Sequence, residues 1–182
     1  MLTCTREFKS QVTIQDTISW GNGFNRWGFT DFEGDGNGFK LGGGDAADIG
    51  PANHVVTNCI AFGNAAKGFT DNKQTGTFTL TRNTAWNNAA VGFQITTASA
   101  TLTNNIAALN QASTTQSKQI SLTGATSSGN SWDSSTTWSN SSFKSVDTSL
   151  VQGARQSNGR IVSSNFLLPT SGAAIGATTA WS

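Results

Sequence analysis

The chain has 182 residues, of which 36% are hydrophobic and only 12% charged, with a formal net charge of +1. So few charges exclude a protein built of surface helices, which need a charged outer face, and no basic block offers a footprint for nucleic acid. Six Trp and eleven Phe spread along the chain carry too much apolar surface for a solvated coil, so the abundant Ser, Thr, Asn and Gly indicate short strands and tight turns rather than disorder.

The opening run, Met1-Leu2-Thr3-Cys4-Thr5-Arg6, lacks the apolar stretch of a signal peptide. No apolar run approaches the ~20 residues of a membrane span. Cys4 and Cys59 allow one disulfide at most; their spacing gives no metal pattern, and both are expected free, with Cys59 buried as a small apolar residue.

Four segments then repeat: Ile14-Gln-Asp-Thr-Ile-Ser-Trp-Gly-Asn22, Val56-Thr-Asn-Cys-Ile-Ala-Phe-Gly-Asn64, Leu80-Thr-Arg-Asn-Thr-Ala-Trp-Asn-Asn88 and Leu102-Thr-Asn-Asn-Ile-Ala-Ala-Leu-Asn110. They form columns of like residues: Ile14, Val56, Leu80, Leu102; Ser19, Ala61, Ala85, Ala107; Trp20, Phe62, Trp86, Ala108; and Asn22, Asn64, Asn88, Asn110. The longer first step is one coil with an insertion at Phe24–Asp35, or nearly two coils. Gly38-Phe39, Gly68-Phe69 and Gly92-Phe93 make a further column, so each coil offers three short strands.

This is the pattern of an all-β fold, a right-handed parallel β-helix with coils of roughly 22–24 residues, since stacked coils put like residue over like at about 4.8 Å. Leucine-rich horseshoes lack the Leu pattern, and a β-sandwich lacks like-with-like columns. The Ala and aromatic columns are both expected to fill the interior. The Asn column is expected where the chain bends, because Asn tolerates the left-handed conformation and can bond the next coil. Gln119–Thr123 and Asn130–Trp132 continue as a degenerate coil, which puts the coils at residues 1–133 and a tail packed on the helix at 134–182. Arg155 is expected to brace that tail.

The sharpest local feature is Gly34-Asp-Gly-Asn-Gly-Phe-Lys-Leu-Gly-Gly-Gly44. If Phe39 faces inward, Lys40 projects outward from a face shared with Thr70 and Gln94. Other candidates read more plainly. His54 opens a strand as a hydrogen-bonded or surface histidine. Asp31, Glu33 and Asp35 alternate, but nothing fixes the separation a glycosidase pair needs, and Gly42–Asp45 is an unrepeated match to calcium-binding Gly-Asp nonapeptides.

The runs Asn37-Gly-Phe-Lys-Leu-Gly-Gly43, His54-Val-Val-Thr-Asn-Cys-Ile-Ala-Phe-Gly-Asn64 and Lys67-Gly-Phe69, with Val146-Asp-Thr148, Gly153-Ala-Arg-Gln156 and Phe166-Leu-Leu168 in the tail, resemble polysaccharide lyase family 9, the pectate lyases. The resemblance implies a parallel β-helix that cleaves polygalacturonate, an acidic plant cell-wall polysaccharide, by calcium-assisted β-elimination outside the cell. It implies that Lys40 is the base; Thr70 and Gln94, on the face they share with it, and Lys67 are the expected substrate-binding residues. A lysine amine is ordinarily protonated at neutral pH and needs nearby cations or burial to accept a proton.

The family's calcium-binding aspartates lie upstream of the lysine, and Met1 falls about where the last of them is expected. The chain is therefore read as a C-terminal portion with impaired activity, Asp31, Asp35 and Asp45 being weak metal candidates. A non-catalytic polyuronate-binding or structural module is the alternative. A first coil with open strand edges is expected to favour self-association.

Overall fold

The computed structural model describes residues 11–43 and 50–180. Its strands follow one another coil by coil. The first coil holds β1 (Thr13–Gln15), β2 (Ile18–Trp20) and β3 (Phe39–Lys40). The second holds β4 (Val55–Thr57), β5 (Ile60–Phe62) and β6 (Phe69–Thr70), and the third β7 (Thr77–Thr81), β8 (Thr84–Trp86) and β9 (Phe93–Ile95). The fourth holds β10 (Ser99–Thr103), β11 (Ile106–Ala108) and β12 (Ile120–Leu122), and β13 (Ala125–Ser128) opens a fifth.

Every third strand pairs in parallel, giving three sheets in the orders β1-β4-β7-β10-β13, β2-β5-β8-β11 and β3-β6-β9-β12. Thr13 pairs directly with Val55, so the long first step is one coil carrying an insertion, not two coils. Register preserves the columns of the repeat: Ile14, Val56, Leu80 and Leu102 lie over one another, as do Phe39, Phe69 and Phe93. The three Phe rings stack almost face to face, with centroids 4.7 and 4.8 Å apart, the spacing of adjacent strands. With Ala61, Ala85 and Ala107 they form the interior core.

Two expectations are corrected. The column Trp20, Phe62, Trp86, Ala108 does stack in register, but it does not enter the cylinder. Successive strand residues face opposite sides, so with Ala61 and Ala85 inside, Phe62 and Trp86 must point out. There they join Ile60 and Ile106 in a second core completed by Phe143, Val151, Ile161, Phe166 and Leu167 of the later chain.

The Asn column, likewise, is not where the backbone turns left-handed. That conformation belongs to the residue before it in each coil: Gly21, Gly63, Asn87 and Leu109. The bend frees the next side chain to point inward and along the stack. Asn64 thus donates its backbone N–H and Nδ2 to Asn88 Oδ1 (3.2 and 2.8 Å), and Asn88 does the same to Asn110 Oδ1 (3.1 and 2.9 Å). Gln119 Oε1 accepts from Asn110 and ends the ladder. A second ladder, Asn83–Asn105–Asn130, runs through the bend that follows β7 and β10, between the first sheet and the second, each Asn again following a left-handed residue (Arg82, Asn104, Gly129).

Candidate active site

Lys40 owes its position to the strand pleat: Phe39 is buried in the core, so Lys40 faces out. Its column runs Lys40, Thr70, Gln94, Ser121. The strand is seated on the second coil at both of its ends, by Gly38 N–H to Lys67 O (2.9 Å) and Leu41 N–H to Thr70 O (2.9 Å). Gly38 is required there, since a Cβ would lie 2.7 Å from Gly68 O and 2.9 Å from Ala61 Cβ. Asn72 Nδ2 donates to Gly42 O (3.3 Å) and ties the chain beyond Lys40 to the second coil.

The Lys40 amine forms an ion pair with Asp35, and both side chains are about half exposed. A short chain of bonds sets the carboxylate: Asn37 Nδ2 donates to Asp35 Oδ1 (2.9 Å), and Lys67 N–H donates to Asn37 Oδ1 (3.2 Å). Asn37 carries no role in the sequence reading. Its signal is positional: it precedes the Gly-Phe pair where the other coils have Lys67 and Val91, so it sits directly beside Lys67 on the stack.

The other anticipated residues are distributed as follows. Gln94 is half-buried beside Thr70, whose hydroxyl is 3.4 Å from Gln94 Oε1 and accepts the Asn72 N–H (3.2 Å). Thr70 is 1% exposed, so it supports its neighbours from beneath and has little surface of its own to offer a ligand. Lys67 is half-buried and contributes its backbone to the Lys40 strand. Asp31 and Glu33 are exposed in the insertion, and Asp45 lies outside the described residues.

Among the described residues no three His, Cys, Asp or Glu side chains gather closely enough to hold a metal ion. Calcium asks for six to eight oxygens, several from carboxylates, and among the described residues the carboxylate beside Lys40, Asp35, is already engaged by the amine and by Asn37. The described residues therefore do not fit a calcium ion.

Two further titratable groups lie apart from Lys40. His54 Nδ1 accepts the Val12 N–H (3.3 Å), its ring packs 5.1 Å from Phe78, and burial lowers its pKa, opposed by a backbone hydrogen bond to Leu41. Cys59 is free and buried, and burial pushes its thiol up to about 11, which leaves it unreactive.

A family model described as "Pel9A-like, right handed beta helix region" matches residues 4–110. Pectate lyase PEL9 of Emericella nidulans is 64% identical over 178 residues, 98% of this chain and 42% of the relative. Pectate lyase L of Dickeya dadantii is 35% identical over 155 residues, 83% of this chain and 34% of the relative. The crystal structure of pectate lyase Pel9A superposes with a TM-score of 0.73 at 30% identity, covering 91% of this chain and 40% of that one. The chain thus spans less than half the length of the relatives it matches. On this evidence it belongs to the Pel9A-like right-handed β-helix family of pectate lyases.

Proposed function

We propose that this chain carries the base-bearing face of a pectate lyase, acting on polygalacturonate outside the cell with Lys40 as the proton acceptor. The observation that carries the reading is an outward-facing amine at the end of β3, paired with Asp35, in a chain whose relatives are pectate lyases. In β-elimination the amine takes the proton from C5 of a uronate. The C5–H electrons form the C4=C5 double bond, the C4–O bond breaks, and the departing oxygen takes a proton from solvent. As found, the amine donates to Asp35; as a base it has to present its lone pair to the sugar, so the pair has to open when substrate binds. Thr70 and Gln94 continue the column of the amine and back it, and Lys67, whose backbone N–H bonds Asn37 beside it, is proposed to offer a further cation to an acidic chain.

Calcium, which the family implies, has no fitting donor set among the described residues, and no step is derived through it. That same observation favours the second reading, a polyuronate-binding module that turns over slowly or not at all. Incubation with polygalacturonate and calcium at alkaline pH, followed by the ultraviolet absorbance of the unsaturated product, separates the two. Lys40→Ala is expected to lower the rate by at least ~10²-fold, the usual contribution of a positioned base. Equal rates in parent and variant would remove Lys40 from the chemistry. Calorimetric binding of oligogalacturonates without turnover would support the binding module.

A further inference from the structure

The insertion between β2 and β3 contains four aromatic side chains turned to solvent: Phe24 (48% exposed), Trp27 (76%), Phe29 (63%) and Phe32 (38%). Large rings normally go inside, and a cluster of exposed ones marks a surface that meets something. This segment is not a loose loop whose rings have yet to find a place. Its neck is pinched where Gly23 and Gly36 meet backbone to backbone, and any side chain on Gly23 would collide there. Its turn is closed by Asn25, which donates through Nδ2 to Phe29 O (2.6 Å) and accepts the Phe29 N–H (3.0 Å).

Arg26 is positioned as well. Its guanidinium carbon lies 5.2 Å from the centre of the Trp20 ring, and it crosses over Gly21, where a Cβ would strike it. Between the insertion and the stack runs an open groove of about 610 Å³, within the range of small-ligand sites, walled by Trp20, Phe24, Arg26, Trp27 and Phe32 and ending at Lys40.

We infer that this groove is a saccharide-binding wall for a uronic acid chain, with the Trp27 and Phe24 rings carrying the apolar C–H faces of the sugars and Arg26 pairing with a carboxylate next to the residue presented to Lys40. The inference rests on the proposed function and deepens it by naming the side chains that set the substrate's course. Two chemistries converge on this occupant. A pyranose uronate has an apolar face and an anionic edge, and the groove combines flat rings with Arg26, whose charge no described carboxylate in the lining offsets, and with Lys40, which is paired with Asp35 until a substrate carboxylate replaces it. Continuity with Lys40 places the bound chain where elimination is proposed to occur. Arg suits a carboxylate because its planar fork can meet both oxygens.

Calorimetry with trigalacturonate, and with a neutral galactose oligomer of the same length, tests this on the parent, Trp27→Ala, Arg26→Gln and a remote exposed control, Val162→Ala. Trp27→Ala is expected to weaken binding of the acidic oligomer roughly tenfold, as a buried-on-binding aromatic anchor does. Arg26→Gln is expected to weaken the acidic oligomer and leave the neutral one unchanged, and Val162→Ala to match the parent. Thermal unfolding should be unchanged in Trp27→Ala, since Trp27 is 76% exposed, and at most slightly lowered in Arg26→Gln, which loses the contact with the Trp20 ring. Parent-level affinity in Trp27→Ala would overturn the wall and leave the proposed function standing, whereas a parent that binds no trigalacturonate would take both away. Sedimentation in which the parent self-associates and Trp27→Ala does not, with saccharide affinity unaltered, would assign the rings to a second copy of the chain and equally overturn the inference.

Discussion

A single imidazole joins the first coil to the strand that carries Lys40. His54 Nδ1 accepts from Val12 N–H ahead of β1, while the ring's backbone bond to Leu41 reaches the residue after Lys40. Protonation would turn that acceptor into a donor facing another donor, and burial already disfavours the charged ring. The sign follows: the folded-state pKa is below the unfolded value of about 6.5, so full stability holds above that value and is lost as pH falls through the folded pKa. Urea unfolding midpoints are therefore expected to fall on acidification below that value in the parent, and this part of the slope to vanish in His54→Phe. An unchanged slope in the variant would exclude His54 as its source.

At the scale of elements, the Asn ladders do what charge pairs or metals do in other folds: they hold one layer on the next. Asn88 is 1% exposed and satisfies Asn64 from above, Ala61 O through its Nδ2, and Asn110 below. Truncating it leaves several buried groups unpaired at ~1–3 kcal/mol each, so Asn88→Ala is expected to cost at least ~3 kcal/mol in chemical unfolding. Asn22 ends the same ladder, exposed, donating its N–H and Nδ2 to Asn64 Oδ1, and among the described residues its side-chain oxygen accepts no hydrogen bond. Asn22→Ala should cost no more than ~1 kcal/mol, the net worth of an ordinary hydrogen bond. Equal costs at the two positions would mean that the ladder is not what binds the layers.

At the scale of the whole molecule, the buried apolar side chains of the described residues gather into two cores rather than one. The inner core is made by the coils alone, whereas the outer one exists only because the later chain returns across the sheet of β2, β5, β8 and β11. Phe166 is its keystone, meeting Phe62 edge-on at 5.2 Å and Trp86 at 6.1 Å. The returning segment also bonds three successive coils, from Gly176 N–H to Asn104 O, Ala177 N–H to Thr84 Oγ1 and Thr178 N–H to Asn58 Oδ1. Phe166→Ala is expected to cost about 3–5 kcal/mol, measured by urea unfolding, as for other fully buried Phe truncations. A cost below ~1 kcal/mol would mean the outer core adds little to the fold.

The repeat was legible because a stacked coil makes sequence periodicity and spatial neighbourhood the same thing: residues one coil apart are in contact, so Val56 over Leu80 or Phe69 over Phe93 follows from counting. Lys40's outward direction follows from its neighbour Phe39 by the same alternation. Counting could not say which of two adjacent apolar columns was inside, because Phe62 and Ala61 are both buried, one under the sheet and one beneath the returning chain. Nor could it pair Asp35 with Lys40 or set Arg26 across Trp20, for those contacts are made by an irregular excursion whose path no period describes. The amino-acid order alone thus determined the stack and its register, which are local rules repeated. Only the tertiary structure decided what covers the outer sheet and what surrounds the amine, because both depend on where non-repeating chain returns to the cylinder.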